Sequence, residues 1–373
     1  MKLECFPEAS SVHQPDVCAR GSGFQLLGVV LLGLGLCSCG GSGGTATKAQ
    51  TTSQAAPNGQ VTAALVSDIG KFNDRGFNQN QLAGLKRAEA ELGVKTIALQ
   101  SNSTSDYIPN LTSAVRQHAD IVIAAGFLLA DAVATMAKRF PSSHFAITDY
   151  SVHDPPFADK NGKVLYKNVE GLTYAANESG CLVGVLAAKT AQRLGGDTIG
   201  AVGGLKIPPV DIWIAGYRYC AQKAVPGTKV LVDYSQSFTE TDKCKTVAEN
   251  EFGRGAKVVF QVAGGCGLGA LRAADQAGRW AIGVDVDQYG LATRVLTSGI
   301  KRVDIGVLDA IKQVKAGKWN GGRDLVFNLA NNGMGVGKIS RVVPKPDITL
   351  MNQYRAKIVD GTLVVPKKLA ARS

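Results

Sequence analysis

The chain has 373 residues, a formal net charge of +11 from 41 Lys+Arg against 30 Asp+Glu, 44 Gly and 8 Cys. With 45% hydrophobic, 19% charged and 6% aromatic residues, and a mean hydropathy of +0.04, it is not a disordered chain, a coiled coil or a multi-span membrane protein. That length supplies about two domains of ordinary size, each able to bury its own core.

Phe24–Leu36 reads FQLLGVVLLGLGL, an apolar run of 13 residues, shorter than the roughly 20 that a membrane-crossing helix needs. Cys37-Ser38-Cys39 and Gly40-Gly41-Ser42-Gly43-Gly44 follow at once. Residues 1–38 are therefore expected to be a cleaved export signal. Leu36 lies three positions before Cys39, with Ser38 just before it. That arrangement resembles the lipobox of bacterial lipoproteins, in which the cysteine is acylated and becomes the new N-terminus. Cys39 would then hold the protein to the outer face of the bacterial cell membrane, and residues 39–60, rich in Gly, Ser, Thr, Ala and Gln, would be a flexible tether. Loss of the signal removes two positive and three negative charges, so the net charge rises to +12.

From Val61 on, short β-branched runs alternate with stretches of helical period, the pattern of βαβ units on a parallel sheet. The predicted strands are Val61–Ser67, Lys95–Leu99, Ile121–Ala125, Phe145–Thr148, Val169–Tyr174, Thr198–Val202, Lys229–Val232, Lys257–Val262, Ala281–Val284 and Asp324–Asn328. The predicted helices are Asn80–Leu92, Tyr107–His118, Ala130–Arg139, Glu178–Arg193, Asp211–Ala224, Thr241–Phe252, Leu268–Ala277 and Val303–Ala316. Ten strands fit two sheets of about five better than one broad sheet. A break near Asn177 divides the chain into halves of similar rhythm. Two such lobes behind an anchor suggest a solute-binding protein that closes on its ligand, with loops at the carboxyl ends of the strands forming the site. Asp68, Asp149, the Gly264-Gly265-Cys266-Gly267 stretch, Asp285 and Asp287-Gln288 all follow predicted strands.

These residues resemble the basic membrane protein family of ABC-transporter lipoproteins, whose characterised members bind purine or other nucleosides. The resemblance rests on Ala64–Gly70 followed by Asn73-Asp74-Arg75-Gly76-Phe77-Asn78-Gln79, on Glu178–Gly184, Ala215-Gly216-Tyr217, Ala263-Gly264-Gly265, Gly283–Gln288 and Lys301–Asp304, in that order. It implies an α/β fold of the two-lobed type I periplasmic-binding kind, each lobe a mainly parallel sheet flanked by helices. Residues 61–176 plus 289–321 would form one lobe, and 177–288 plus 322–366 the other. It also implies a ligand set: Phe77 and Trp213 as rings that sandwich a base, Asn78 beside Phe77, Asp68 and Asp149 facing the base, and Asp285, Lys301 and the backbone at Gly264 on the ribose. The expected partners are a nucleoside, an ABC permease with its ATP-binding subunit, and the membrane through the lipid.

Physical chemistry supports those residue types. A flat ring stacked between two aromatic side chains gains roughly 0.5–1.5 kcal/mol per pair beyond its buried area. A carboxylate that accepts both protons of a vicinal diol makes the stronger, charge-assisted class of hydrogen bond. Other readings stay open: Asp68 or Asp149 as a helix N-cap, Asp74 as a cap or turn residue, Lys301 as a solvated lysine, and a sugar-like ligand or a sensor's receptor in place of a nucleoside carrier.

Catalysis, cofactors and metal are not expected, since the four histidines show no metal-ligand spacing and no CxxC pair or nucleophile elbow occurs. Nucleic acid is not an expected partner either, because no run exceeds two adjacent Lys or Arg. Cys181, Cys220, Cys244 and Cys266 remain after the signal and the anchor, and in an exported domain they are expected to form two disulfides by one of three pairings. Cys220–Cys244 is favoured because their helices flank the Lys229–Val232 strand, which leaves Cys181–Cys266.

Overall fold

The computed structural model describes residues 59–369. The expected export signal at 1–38, the lipidated Cys39 and the tether as far as residue 58 lie outside those residues. The chain first builds β1 (Thr62–Ser67), α1 (Phe77–Leu92), β2 (Lys95–Leu99), α2 (Tyr107–Arg116), β3 (Ile121–Ala125), α3 (Ala130–Arg139), β4 (His144–Thr148) and β5 (Val169–Tyr174). It continues through α4 (Ala176–Arg193), β6 (Thr198–Gly203), α5 (Pro208–Ala224), β7 (Lys229–Tyr234), α6 (Thr241–Gly253), β8 (Val258–Val262), α7 (Leu268–Gln276), β9 (Trp280–Asp285) and β10 (Val295–Lys301). It ends with α8 (Val303–Lys315), β11 (Asp324–Phe327), β12 (Met334–Val336) and α9 (Lys345–Val359).

The strands form two six-stranded sheets, ordered β11-β5-β4-β3-β1-β2 and β12-β10-β9-β8-β6-β7. All pairings are parallel except β10 with β12. Each sheet is covered by helices, so its central strands are apolar on both faces. Ile121–Ala125 and Val258–Val262 are buried at every position. The chain passes between the lobes near Ala175, near Arg302 and between Phe327 and Met334.

That course differs from the expected division in two places. Val295–Lys301, expected in the first lobe, pairs with β9 in the second sheet. Asp324–Phe327, expected in the second lobe, pairs with β5 in the first. The second crossing therefore falls at Arg302 and not at 289. β10 was not among the predicted strands because Thr297-Ser298-Gly299 interrupts any apolar run. Its polar side chains are satisfied far away in sequence: Thr297 Oγ1 donates to the Gly337 carbonyl and the Gln288 amide donates to Ser298 Oγ. α9 also goes beyond the predicted elements, since it buries only Asp347, Met351 and Tyr354, a stripe too thin to show as periodicity.

The cysteines pair as Cys181–Cys220 and Cys244–Cys266, with Cα separations of 4.9 and 5.6 Å, both inside the range a disulfide spans. This overturns the expected Cys220–Cys244 and Cys181–Cys266 pairs. The reason lies in the second sheet. Cys220 shares a core with α4, Ala201 and Phe260, whereas Cys244 shares a core with α7, Val202 and Val259. Ala201/Val202 and Val259/Phe260 are successive residues of β6 and β8, and successive strand residues face opposite sides. The two helices do flank the β7 strand, but from opposite faces. On one face α4 and α5 lie close enough for Cys181 to meet Cys220, and a Cβ on Gly216 would fall 1.9 Å from the Asn177 carbonyl oxygen.

Candidate binding site between the lobes

All eight candidate residues line a cavity between the lobes: Asp68, Phe77, Asn78, Asp149, Trp213, Gly264, Asp285 and Lys301. The first lobe's share is built locally. Asp68 follows β1, and its Oδ1 accepts from the Gly70 amide at 2.7 Å and from Asn78 Nδ2 at 2.7 Å. Asp74 holds the start of α1 by accepting from the amides of Gly76, Asn78 and Gln79 at 3.0, 2.8 and 3.0 Å, the usual service of an acidic residue to unpaired helix N–H groups. This fixes Phe77, the first residue of α1, at the cavity wall. Gly126 makes room for its ring, since a Cβ there would stand 3.0 Å from Phe77 Cε1.

Asp149, directly after β4, and Asp285, the last residue of β9, have φ of 60° and 66°, a left-handed conformation uncommon for residues other than glycine. Such backbone persists where surrounding structure enforces it and concentrates at functional sites. Asp149 does not cap a helix through its side chain. Its Oδ2 accepts from Lys301 Nζ at 2.7 Å, and its amide donates to the Leu172 carbonyl at 2.8 Å. Lys301 is not a solvated lysine: it is 2% exposed, and its Nζ stands 5.4, 5.6 and 5.5 Å from the ring centroids of Phe77, Tyr174 and Trp213. Three rings and one carboxylate hold the ammonium, combining cation–π attraction with an ion pair.

Trp213 lines the cavity but is 1% exposed, packs edge-on against Phe260 at 5.8 Å, and fills space that a Cβ on Gly299 would enter. The second lobe brings a different ring into the cleft. Phe238, in the polar loop after β7, is half-buried, lines the cavity, and has its carbonyl bonded by the Cys266 amide at 2.9 Å. Gly204 leaves it space, because a Cβ there would come within 2.3 Å of Phe238 Cε1. Gly264 begins the single helical turn Gly264–Gly267, tied by Cys266 to Cys244 on α6.

Phe238, Phe127 and Asp74 are lining residues outside the candidate set. Phe127, two residues after β3, could have been sought as an aromatic at a strand end, whereas Phe238 lies four residues beyond β7 with no local signal. Phe127 follows β3 and stacks on Tyr150 at 4.9 Å.

Four carboxylates and one ammonium face this space. Burial pushes Asp68 up to about 7, against the bonds from Gly70 and Asn78 that favour its charged form. Burial also pushes Asp285 up to about 7, opposed by Lys301 and reinforced by the other three aspartates. Asp74 is raised by burial as well. The surplus is in acceptors, so the cavity suits an uncharged ligand rich in hydrogen-bond donors and repels an anion. Among the described residues no group of three or more His, Cys, Asp or Glu is placed to hold a metal ion.

The family model described as "ABC transporter substrate-binding protein PnrA-like", Bmp, matches residues 61–368. The chain is 34% identical over 330 residues to the ABC transporter nucleoside-binding protein BmpA of Lactococcus lactis subsp. cremoris, covering 83% of this chain and 90% of that protein. It is 30% identical over 367 residues to an uncharacterized lipoprotein of Pyrococcus abyssi, covering 91% and 86%. Among solved structures, an ABC transporter solute-binding protein from Aeropyrum pernix superposes with a TM-score of 0.73 at 25% identity, covering 82% of this chain and 94% of that one.

Proposed function

Since the chain belongs to the Bmp family of PnrA-like ABC transporter substrate-binding proteins, and is therefore a binding protein and not an enzyme, we propose that its ligand is a nucleoside. The observation that carries this reading is the cavity between the lobes, lined by Phe77 from one lobe and Phe238 from the other, with Asp68, Asp149, Asp285 and Lys301 around them. A base stacked between rings from two lobes binds the closed form better than the open one, which is the differential affinity that closure requires. Asp285, on the same lobe as Phe238, is an acceptor for a vicinal diol. The name of the Lactococcus relative supports the same ligand class.

The reading extends to anchoring through Cys39 and delivery to a permease and its ATPase. It rests on the Leu36-Cys37-Ser38-Cys39 segment, on relatives named as lipoproteins and on the family itself. Calorimetry on the purified protein with guanosine, adenosine, inosine and ribose is the direct test. At least one nucleoside should bind at micromolar affinity or tighter and ribose far more weakly. Tight ribose binding with no response to any nucleoside overturns the reading.

A further inference from the structure

Two glutamine side chains, Gln261 on β8 and Gln288 in the connection between β9 and β10, are completely buried. They are linked in series. The Ala263 amide donates to Gln261 Oε1 at 3.1 Å, Gln261 Nε2 donates to Gln288 Oε1 at 2.7 Å, and Gln288 Nε2 donates to the Arg75 carbonyl at 3.0 Å. Two further bonds, from the Val284 amide to Gln288 Oε1 at 3.2 Å and from the Gln288 amide to Ser298 Oγ at 3.0 Å, fix the middle of the series.

Every one of these bonds lies within the second lobe except the one to Arg75. Both ends of the series touch the ligand wall. Ala263 precedes Gly264, and Arg75 stands between Asp74, which caps α1, and Phe77 two residues on. Arg75 itself has a φ of 54°, a conformation that residues other than glycine rarely adopt without support. The middle residue must accept on one side and donate on the other, which among buried side chains a neutral amide does and a carboxylate, lysine or arginine does not.

We propose that Gln288 is a closure latch: its amide joins the lobes only when they are shut and so sets how long the ligand stays, without touching the ligand. It is a positioning residue, acting through Arg75 and the turn before Gly264. An uncharged hydrogen bond suits that task, being strong enough to slow opening and weak enough to release. The inference rests on the reading of the cavity as a ligand site, and its test separates the two.

Stopped-flow release of guanosine and small-angle scattering, with and without guanosine, are measured on the parent, Gln288→Met and Gln81→Met. Gln81 is equally buried, but its Oε1 accepts from Thr148 Oγ1 inside the first lobe. Gln288→Met should speed dissociation by about three- to tenfold with association changed less than about twofold, the span of one lost neutral hydrogen bond. Its radius of gyration should exceed that of the parent. Gln81→Met should lower the melting temperature and leave dissociation and radius as in the parent. Should Gln288→Met fail to fold, Gln288→Asn keeps an amide but loses the reach to Arg75. Parent-like dissociation in the Gln288 variant, or equal acceleration in both variants, overturns the latch. If the parent binds no guanosine, release is followed with adenosine or inosine, and if it binds none of the three the nucleoside reading fails instead. The latch is then decided by scattering alone, and an unchanged radius in the Gln288 variant sinks it.

Discussion

The two lobes have the same architecture, yet they make their halves of the site by opposite means. The first lobe relies chiefly on one short stretch, in which Asp68, Asp74 and Asn78 are bonded to one another and to the start of α1 around Phe77, with Phe127 and Asp149 added from the ends of β3 and β4. The second gathers Trp213 from α5, Phe238 from the loop after β7, the turn at Gly264, and Asp285 and Lys301 from two strand ends. Both disulfides among the described residues are in the second lobe, and one ends inside that turn. A half-site made from neighbours in sequence can be held by local hydrogen bonds. One assembled from distant segments gains more from covalent ties, because each closes a loop the unfolded chain would leave free.

The sharpest way to break this comparison is to separate wall from ligand contact within the second lobe. Trp213→Ala removes a fully buried ring that packs on Phe260 and Lys301. It should cost about 3–5 kcal/mol of stability, read as a large fall in melting temperature. Phe238→Ala, at a half-buried loop position, should leave the melting temperature of the free protein nearly unchanged and weaken nucleoside binding by at least about 1 kcal/mol. The reverse pattern, with Trp213→Ala stable and non-binding and Phe238→Ala unstable but binding, would return Trp213 to the stacking role expected from the sequence.

The disulfides sharpen the comparison next. With sequence separations of 39 and 22 residues, loss of either should cost roughly 3–4 kcal/mol of stability by the loop-closure estimate. Their effects on binding should differ. Cys181→Ser/Cys220→Ser joins only α4 and α5 less firmly, so nucleoside affinity should stay near that of the parent. Cys244→Ser/Cys266→Ser frees the turn that carries Gly264 and bonds Phe238, so affinity should fall as well. Denaturation and calorimetry on both double variants check this, and equal affinity in the two would show that the tie at Cys266 supports the fold and not the site.

The same contrast explains how much was legible in the sequence. Asp68, Asp149 and Asp285 could be placed because they directly follow apolar strands, whereas Phe77 and Asn78 were reached through the family resemblance of the Asn73–Gln79 segment. Trp213 could be brought to the cavity but not given its burial, which depends on Gly299 and Phe260, dozens of residues away. Phe238 sits in Ser235–Thr239, a polar stretch with no period, and only the third dimension reveals that Gly204 leaves space for its ring. The disulfide pairing failed for a related reason: nothing local states which face of a sheet a crossover helix will cover. β10 was hidden because a strand whose polar side chains are satisfied by Gly337 and Gln288 shows no apolar run.

The smallest expected effect joins the lobes electrostatically. Asp68 from the first and Asp285 from the second are both raised by burial to about 7, from about 4 in an unfolded chain. A folded value above the unfolded one means that between those limits the folded state binds more protons, so these two groups make the free protein less stable as pH rises from about 4 to about 7. A nucleoside hydroxyl that donates to Asp285 favours the ionised carboxylate, so binding releases a proton and affinity should climb with pH until the plateau above 7. For one proton the gain from pH 6 to pH 7.5 is about tenfold, or ~1.4 kcal/mol. The two slopes oppose each other: the melting temperature of the free protein falls over the interval in which the increase caused by guanosine grows. Calorimetry at both pH values, in buffers of different ionisation enthalpy, counts the proton directly. An affinity that does not change with pH would place the ligand's donors on carboxylates that are already ionised, and proton uptake would show a protonated carboxyl donating to the ligand, against the assignment of Asp285 as an acceptor.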